Sequence, residues 1–452
     1  MNQNSQAYSS TVHIIGAGWS GLACAATLAQ AGISVQLLEA APLAGGRARG
    51  VQYRKSFPDT LLDNGQHIML GAYQHTLKLF KQLGIKEQDV LHRQSLNLVL
   101  YSPHSPVIRL TAPALPAPWH LMIAMLTFKN ISLKDRLKLV LMLVRIRLKK
   151  FTLTEDCSVA ELLNHYSQSQ LLIEALWEPL CLATMNTPIK EASARVFLTV
   201  LEKSFNHNRQ DSDLLFFKSD LSSVFVNKAL SYICQHRGNI LFKYRVEKIE
   251  LQTGPLSSNT FIIRTSKQTI TANTLILATP AYIAQKLQGR VFRLKPEQSK
   301  LKFTYQPICT VYLQYPEHIK LEQVMTGFFG TLSQWAIDHR INKQPGLIAV
   351  VISSSGRHLQ LPEEQLVDTI HNELKLVQPD LPFWQDYQVV IEKKATFNCT
   401  VNINTIRPSF KTSHKQLFLA GDYTRTPYPA TLEGAVISGM QVAQHIIEQR
   451  KR

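Results

Sequence analysis

Val12-His-Ile-Ile-Gly16-Ala-Gly18-Trp-Ser-Gly21, followed by Glu39, reads as a dinucleotide-binding fingerprint. Val12–Ile15 has the unbroken apolar character of a short buried strand, and Leu22–Ala31 the small, apolar residues of a helix packed on it. Gly16 suits the tight turn between them, Gly18 the approach of backbone to a pyrophosphate, and Gly21 the close packing of helix on strand. Free N–H groups at the helix start then face the phosphates. Glu39 ends the next apolar strand, Ile33–Leu38, where a carboxylate accepts hydrogen bonds from a ribose hydroxyl and repels a 2′-phosphate. A bare glycine pattern also occurs in ordinary loops; here both strands, the helix and the acid accompany it. Val12–Gly32 is not read as a signal peptide or membrane span, because Met1–Ser10 carries no basic residue and glycines interrupt the apolar run.

The chain has 452 residues, enough for two domains or one interleaved pair, and 45% hydrophobic with 18% charged residues is a globular composition. Cysteines at 24, 157, 181, 234, 309 and 399 form no C-x-x-C pair, which points to reduced core thiols and to no metal site. The formal net charge of +17 raises nucleic acid or an anionic membrane as partners. No basic cluster carries the interleaved aromatics of a nucleic-acid platform, so nucleic acid is not expected. The densest basic stretch, Lys134–Lys150, is woven through with leucines, and Ser132 with Asp135 resembles a helix cap. On that helix Lys134, Lys138, Arg145 and Lys149 share one face beside a wide apolar remainder. The pattern suits the interface of an anionic bilayer, and equally a core helix with one solvated face. Upstream, the apolar run that begins at Ala114 is too short and proline-broken to span a membrane.

Strand-helix units at both ends enclose mixed structure. Helical periodicity runs through Asp156–Glu202, including Leu171–Trp177. Strand patterns cover Asn239–Gln252, Phe261–Thr265, Thr274–Pro280, Ile308–Leu313, Gly346–Ser353 and Gln388–Ala395. Leu417–Asp422 is a buried strand before a helix over Leu432–Gln449. This order predicts an α/β, Rossmann-like domain built from discontinuous segments (1–100, 215–290 and 396–452). Into it an α+β substrate domain is interleaved (101–214 and 291–395).

Further patterns favour a flavin over a nicotinamide. Ala44-Gly45-Gly46-Arg47-Ala-Arg49 puts flexible backbone and guanidinium groups beside the pyrophosphate, next to Glu39 and Ala40. Leu62-Asp63-Asn64-Gly65-Gln66-His67 forms a polar turn able to reach a flavin ring. Val246 and Pro280 lie on strands that could pass an adenine or ribityl chain, or simply belong to sheet core. Gly421-Asp422 ends a strand with a carboxylate suited to a ribityl hydroxyl, and the helix starting near Thr431-Leu432 offers its positive end to charge on a reduced flavin. A nicotinamide needs no such C-terminal element.

These segments, with Leu70-Gly-Ala-Tyr73, Trp177-Glu-Pro-Leu-Cys-Leu-Ala183, Asn186-Thr-Pro188, Ala192-Ser-Ala-Arg195 and Pro429-Ala-Thr-Leu-Glu-Gly-Ala435, resemble the hydroxysqualene dehydroxylase family. Those proteins were formerly described as squalene-associated FAD-dependent desaturases and are relatives of phytoene desaturases and monoamine oxidases. The resemblance implies an amine oxidase or phytoene desaturase-like fold, FAD, and a long-chain isoprenoid substrate. It also implies reductive removal of a hydroxyl to give squalene in bacterial hopanoid synthesis. Such an enzyme would be cytoplasmic or peripheral on the inner face of the cytoplasmic membrane. His67 is then the candidate to orient or protonate the hydroxyl, or else a ligand of the flavin or backbone, with Glu433 and Glu178 as weaker acids. A carotenoid or polyprenyl desaturase and a non-catalytic prenyl-lipid chaperone are the alternatives. An amine oxidase would need an aromatic cage, for which Tyr423 and Tyr428 are the available residues.

Overall fold

The computed structural model describes residues 11–53, 57, 60–252, 260–288 and 303–451. Five parallel strands lie in the order Asn239–Phe242, Val35–Glu39, Val12–Ile15, Thr274–Leu277, Leu417–Leu419. The central and last of these are buried along their whole length, as a sheet covered on both faces requires. The alternation read over 239–252 breaks in two. Lys243 turns left-handed at φ 61°, the part before it joins the parallel sheet, and Val246–Gln252 joins a separate three-stranded antiparallel sheet. At that turn the Tyr244 N–H donates to the Glu39 carbonyl. Val246 is thereby carried to the end of the strand bearing Glu39.

The first helix runs Trp19–Gln30, starting ahead of Leu22 because Gly18 itself is the N-cap. No side chain caps it, so its leading N–H groups remain available to a ligand. The last helix, Leu432–Lys451, packs directly on it. A Cβ on Gly439 would stand 2.1 Å from the Ser20 carbonyl oxygen, and one on Gly21 would stand 2.0 Å from the Gly16 carbonyl oxygen. Glycine is required at both positions by space alone.

The second sheet has seven strands, ordered Asp386–Phe397, Tyr305–Gln314, Leu347–Ser353, Trp335–Asp338, Met325–Phe328, Asn97–Ser102, Ser105–Thr111. The boundary expected at residue 100 falls inside Asn97–Ser102, which pairs wholly within this sheet. The one expected at 214 falls inside Leu214–Phe217, which pairs with Ile68–Leu70 and Leu91–Gln94. The boundary at 290 lies outside the described residues. Helices between 119 and 205 cover the sheet's neighbourhood with a shared core, including Leu139, Met142, Ile146, Leu163 and Phe197. Ser132 caps Leu133–Leu148 through the Asp135 N–H, and Ser158 with Glu161 forms a reciprocal capping box. The helical run expected over Leu171–Trp177 widens to a π turn at Ile173–Trp177 before Glu178–Met185. Pro179 has no N–H to give the preceding turn, which accounts for the widening.

Replacing Gly439 with Ala should force the first and last helices apart and cost about 1–3 kcal/mol. Thermal unfolding measured on the variant should shift down by several degrees; an unchanged midpoint would contradict this packing.

Candidate functional site

Residues from both large sheets line one cavity of about 990 Å³. That is near the upper end of ligand sites, which span roughly 300–1,000 Å³. Its polar half gathers Gly16, Gly18, Glu39, Ala40, Gly46 and Arg47 from the N-terminal region. Val246 and Pro280 join them from the middle of the chain, and Gly421, Asp422, Thr431 and Leu432 from its end. Gly21 does not line the cavity and acts through packing. A Cβ on Gly18 would meet nothing within 4 Å, so the space in front of the helix start is open to a phosphate. Glu39 is held by its own backbone. Its Oε2 accepts from Ala17 N–H and its Oε1 from Ala41 N–H, both at 2.8 Å, which leaves the outer lone pairs for ribose hydroxyls.

Arg47 donates to Asp422 at 2.7 Å and to the Ala395 carbonyl at 2.6 Å. Burial weakens the guanidinium's hold on its proton, but Asp422 beside it reverses this and raises the pKa above its ordinary value. The loop after Asp422 is held by Arg407, which is fully buried and donates to the carbonyls of Asp422, Thr424 and Thr426. Nothing in the local sequence around Arg407 announces that role, because its partners are loop carbonyls. Thr431 accepts the Gly434 N–H at 3.0 Å and so opens the last helix toward the cavity.

Gly65 and His67 also line the cavity. His67 Nδ1 lies 2.6 Å from the Gly65 carbonyl oxygen. A carbonyl only accepts, so Nδ1 carries the hydrogen and Nε2 the lone pair. Burial pulls the imidazole's pKa down to about 4, with Arg47 adding to the shift against the Gly65 hydrogen bond, and the ring is neutral at pH 7. Gln66, expected at the flavin, does not line the cavity; its side-chain amide meets His339 Nε2 at 2.8 Å. Glu433 is fully buried away from the cavity, accepting the N–H groups of His75 and Thr76 and the Thr76 hydroxyl. It caps a helix start and is no acid for this site. Glu178 lies outside the cavity lining as well.

The other half is apolar, walled by Leu98, Leu100, Leu176, Leu180, Trp335 and Ile337. Neither Tyr423 nor Tyr428 lines it: Tyr423 is buried behind the wall and Tyr428 donates to the Ala72 carbonyl. The two tyrosines therefore do not form a cage at this cavity.

The profile of the "Flavin containing amine oxidoreductase" family matches residues 19–447. The chain is 27% identical to hydroxysqualene dehydroxylase of Zymomonas mobilis over 437 residues, covering 96% of this chain and 98% of that one. It is 28% identical to the enzyme of the same name from Rhodopseudomonas palustris, covering 97% and 99%. The 15-cis-phytoene desaturase of Arabidopsis thaliana is 24% identical, covering 97% and 80%. Among solved structures, cyclohexylamine oxidase from Brevibacterium oxydans superposes with a TM-score of 0.76 at 16% identity, covering 98% and 100%. The fold is that of the amine oxidase-like flavoproteins. The cofactor is FAD, and the open helix start, the poised Glu39 and the space before Gly18 fit a dinucleotide.

Gly18→Ala should leave the thermal stability of the flavin-free protein unchanged while weakening FAD binding at least tenfold, because the added methyl enters only the phosphate space. Flavin retained on gel filtration in the variant would contradict that placement.

Proposed function

The chain belongs to the flavin containing amine oxidoreductase family, and from that premise we propose that it reductively removes the hydroxyl of hydroxysqualene to give squalene. The observation that carries this reading is the continuity of a dinucleotide half with an apolar half whose described lining holds one imidazole, His67. The relatives named hydroxysqualene dehydroxylase support it over nearly the full chain.

FAD, when bound and reduced, would supply a hydride. In the net reaction the allylic C–O bond breaks, a C–H bond forms with that hydride, and the oxygen leaves as water on taking up one proton from solvent. His67 Nε2 accepts a hydrogen bond from the substrate hydroxyl and fixes its orientation. A neutral imidazole of pKa about 4 holds no proton to give at pH 7, so this role is orientation and not resident acid catalysis. The leucine walls keep competing water from the electron-poor carbon. The Gly-rich turn, Glu39, Arg47, Asp422 and the start of the last helix hold the cofactor, with the helix end favouring negative charge there.

We also assign a bilayer contact to the two helices Trp119–Leu126 and Leu133–Leu148. Leu139, Met142 and Ile146 pack into the core, yet on the outer side Leu133, Leu137, Leu141 and Leu148 are 65, 54, 48 and 78% exposed, beside Trp119 at 59%. Between Lys129 and Lys150 eight cations meet a single carboxylate, Asp135. Exposed leucines next to a cationic stripe suit an anionic lipid interface. On the inner side of Trp119–Leu126, His120 Nε2 lies 3.1 Å from the Ser212 hydroxyl, and Ser212 lines the cavity. No described helix is long and apolar enough to cross a membrane, so this contact is peripheral.

Anaerobic, flavin-reduced protein mixed with hydroxysqualene should reoxidise its flavin and release squalene in equal amount; flavin that stays reduced with substrate unchanged would overturn the proposal. His67→Ala should lower turnover by tenfold or more with FAD still bound, and unaltered turnover would remove His67 from the mechanism. Lys134→Glu with Lys138→Glu and Arg145→Glu should abolish co-sedimentation with anionic vesicles, whereas undiminished sedimentation would defeat the lipid contact.

A further inference from the structure

The turn carrying His67 belongs in sequence to the cofactor-binding part of the chain, yet much of what fixes it comes from the seven-stranded sheet. The Tyr312 hydroxyl donates to the Asp63 carbonyl at 3.0 Å, and the Gln66 N–H donates to the Thr310 hydroxyl at 3.2 Å. Both residues sit on the strand Tyr305–Gln314. His339, just past the strand Trp335–Asp338, completes the contact. Its ring stands edge-on to Tyr312 with centroids 5.7 Å apart. Its Nε2 lies 2.8 Å from the Gln66 Oε1 and its Nδ1 2.8 Å from the Gln344 Oε1. Gln344 in turn donates to the Leu61 carbonyl at 3.3 Å. One buried imidazole thus sits between two amides, both tied to residues 61–66.

Hydrogen counting makes the arrangement specific. Burial lowers the His339 pKa, so the ring is neutral and has one N–H for two amide partners. Gln344 Nε2 is committed to Leu61, which directs Gln344 Oε1 at Nδ1–H. Nε2 is then an acceptor and requires an N–H from Gln66. Turning the Gln66 amide to supply it gives up only a long 3.5 Å contact to the His67 carbonyl. On its other flank the turn is bound through Asn64, which accepts the Arg49 N–H at 3.0 Å and donates to the Arg47 carbonyl at 2.7 Å. The turn therefore bridges the cofactor loop and the substrate sheet, with His67 directly after Gln66.

We infer that His339 is a positioning residue: through Gln66 it sets where His67 presents Nε2 to the substrate. The inference rests on the proposed role of His67 and adds the element that aims it. Loss of the clamp lowers turnover without weakening substrate or FAD binding, because neither His339 nor Gln66 lines the cavity.

The test is a double-mutant cycle on FAD-loaded, reduced protein, with His67→Ala, His339→Phe and both together, scored by single-turnover flavin reoxidation. His339→Phe should slow turnover about tenfold to a hundredfold with KM and flavin content unchanged. It should slow the His67→Ala protein no further, and His339→Gln, which keeps an amide partner for Gln66, should recover part of the rate. Gln66→Met cuts the same link outside the core and should reproduce the loss if His339→Phe does not hold FAD. Effects that multiply in the double variant, or a full rate in Gln66→Met, would overturn the inference. A full rate in His67→Ala alone would instead defeat the underlying reading of His67.

Discussion

Strands Val12–Ile15, Thr274–Leu277 and Leu417–Leu419 lie side by side in parallel register, so the cofactor half cannot close until the last tenth of the chain arrives. That pairing seats the last helix on the first, glycine against carbonyl, and delivers Asp422 to Arg47 across 375 residues of sequence. It also brings the start of Leu432–Lys451 to the same cavity as the start of Trp19–Gln30. Two helix N-termini and a paired guanidinium and carboxylate then surround one space. A negatively charged, extended dinucleotide matches that distribution.

The second consequence is that polar and apolar groups line one cavity. Glu39 and Asp422 are held in place by backbone and guanidinium partners, whereas other walls are leucine, tryptophan and isoleucine. His67 lines the same cavity, neutral because burial disfavours the imidazolium. A hydrocarbon with a single hydroxyl has the same division. Outside, the helix pair exposes leucines beside a row of cations.

What could be read in the sequence was local. Gly16, Gly18, Gly21 and Glu39 act within one strand-helix-strand unit, and their spacing alone carries the meaning. Ser132 announces its cap for the same reason. The Gly421-Asp422 and Thr431-Leu432 pairs were legible as features, but the partner of Asp422 was not, since no short-range pattern links it to Arg47. Gln66 was misplaced because its neighbours in sequence face the cavity while its own side chain turns to His339, some 270 residues on. Arg407 and Glu433 show the same limit: one serves loop carbonyls and the other a helix start, and only the folded chain brings those groups to them. The basic helix was readable as amphipathic, yet which stripe would be covered depended on the core that Leu139, Met142 and Ile146 join.

The most direct test of the account is an anaerobic titration of oxidised, FAD-loaded protein, following the flavin absorbance. Hydroxysqualene should perturb the flavin bands saturably without bleaching them, because it binds beside the cofactor and has no hydride to give in this direction. Bleaching by phytoene or by an amine would contradict the account, since either would mean that the cavity is built to take electrons from its substrate and not to deliver them.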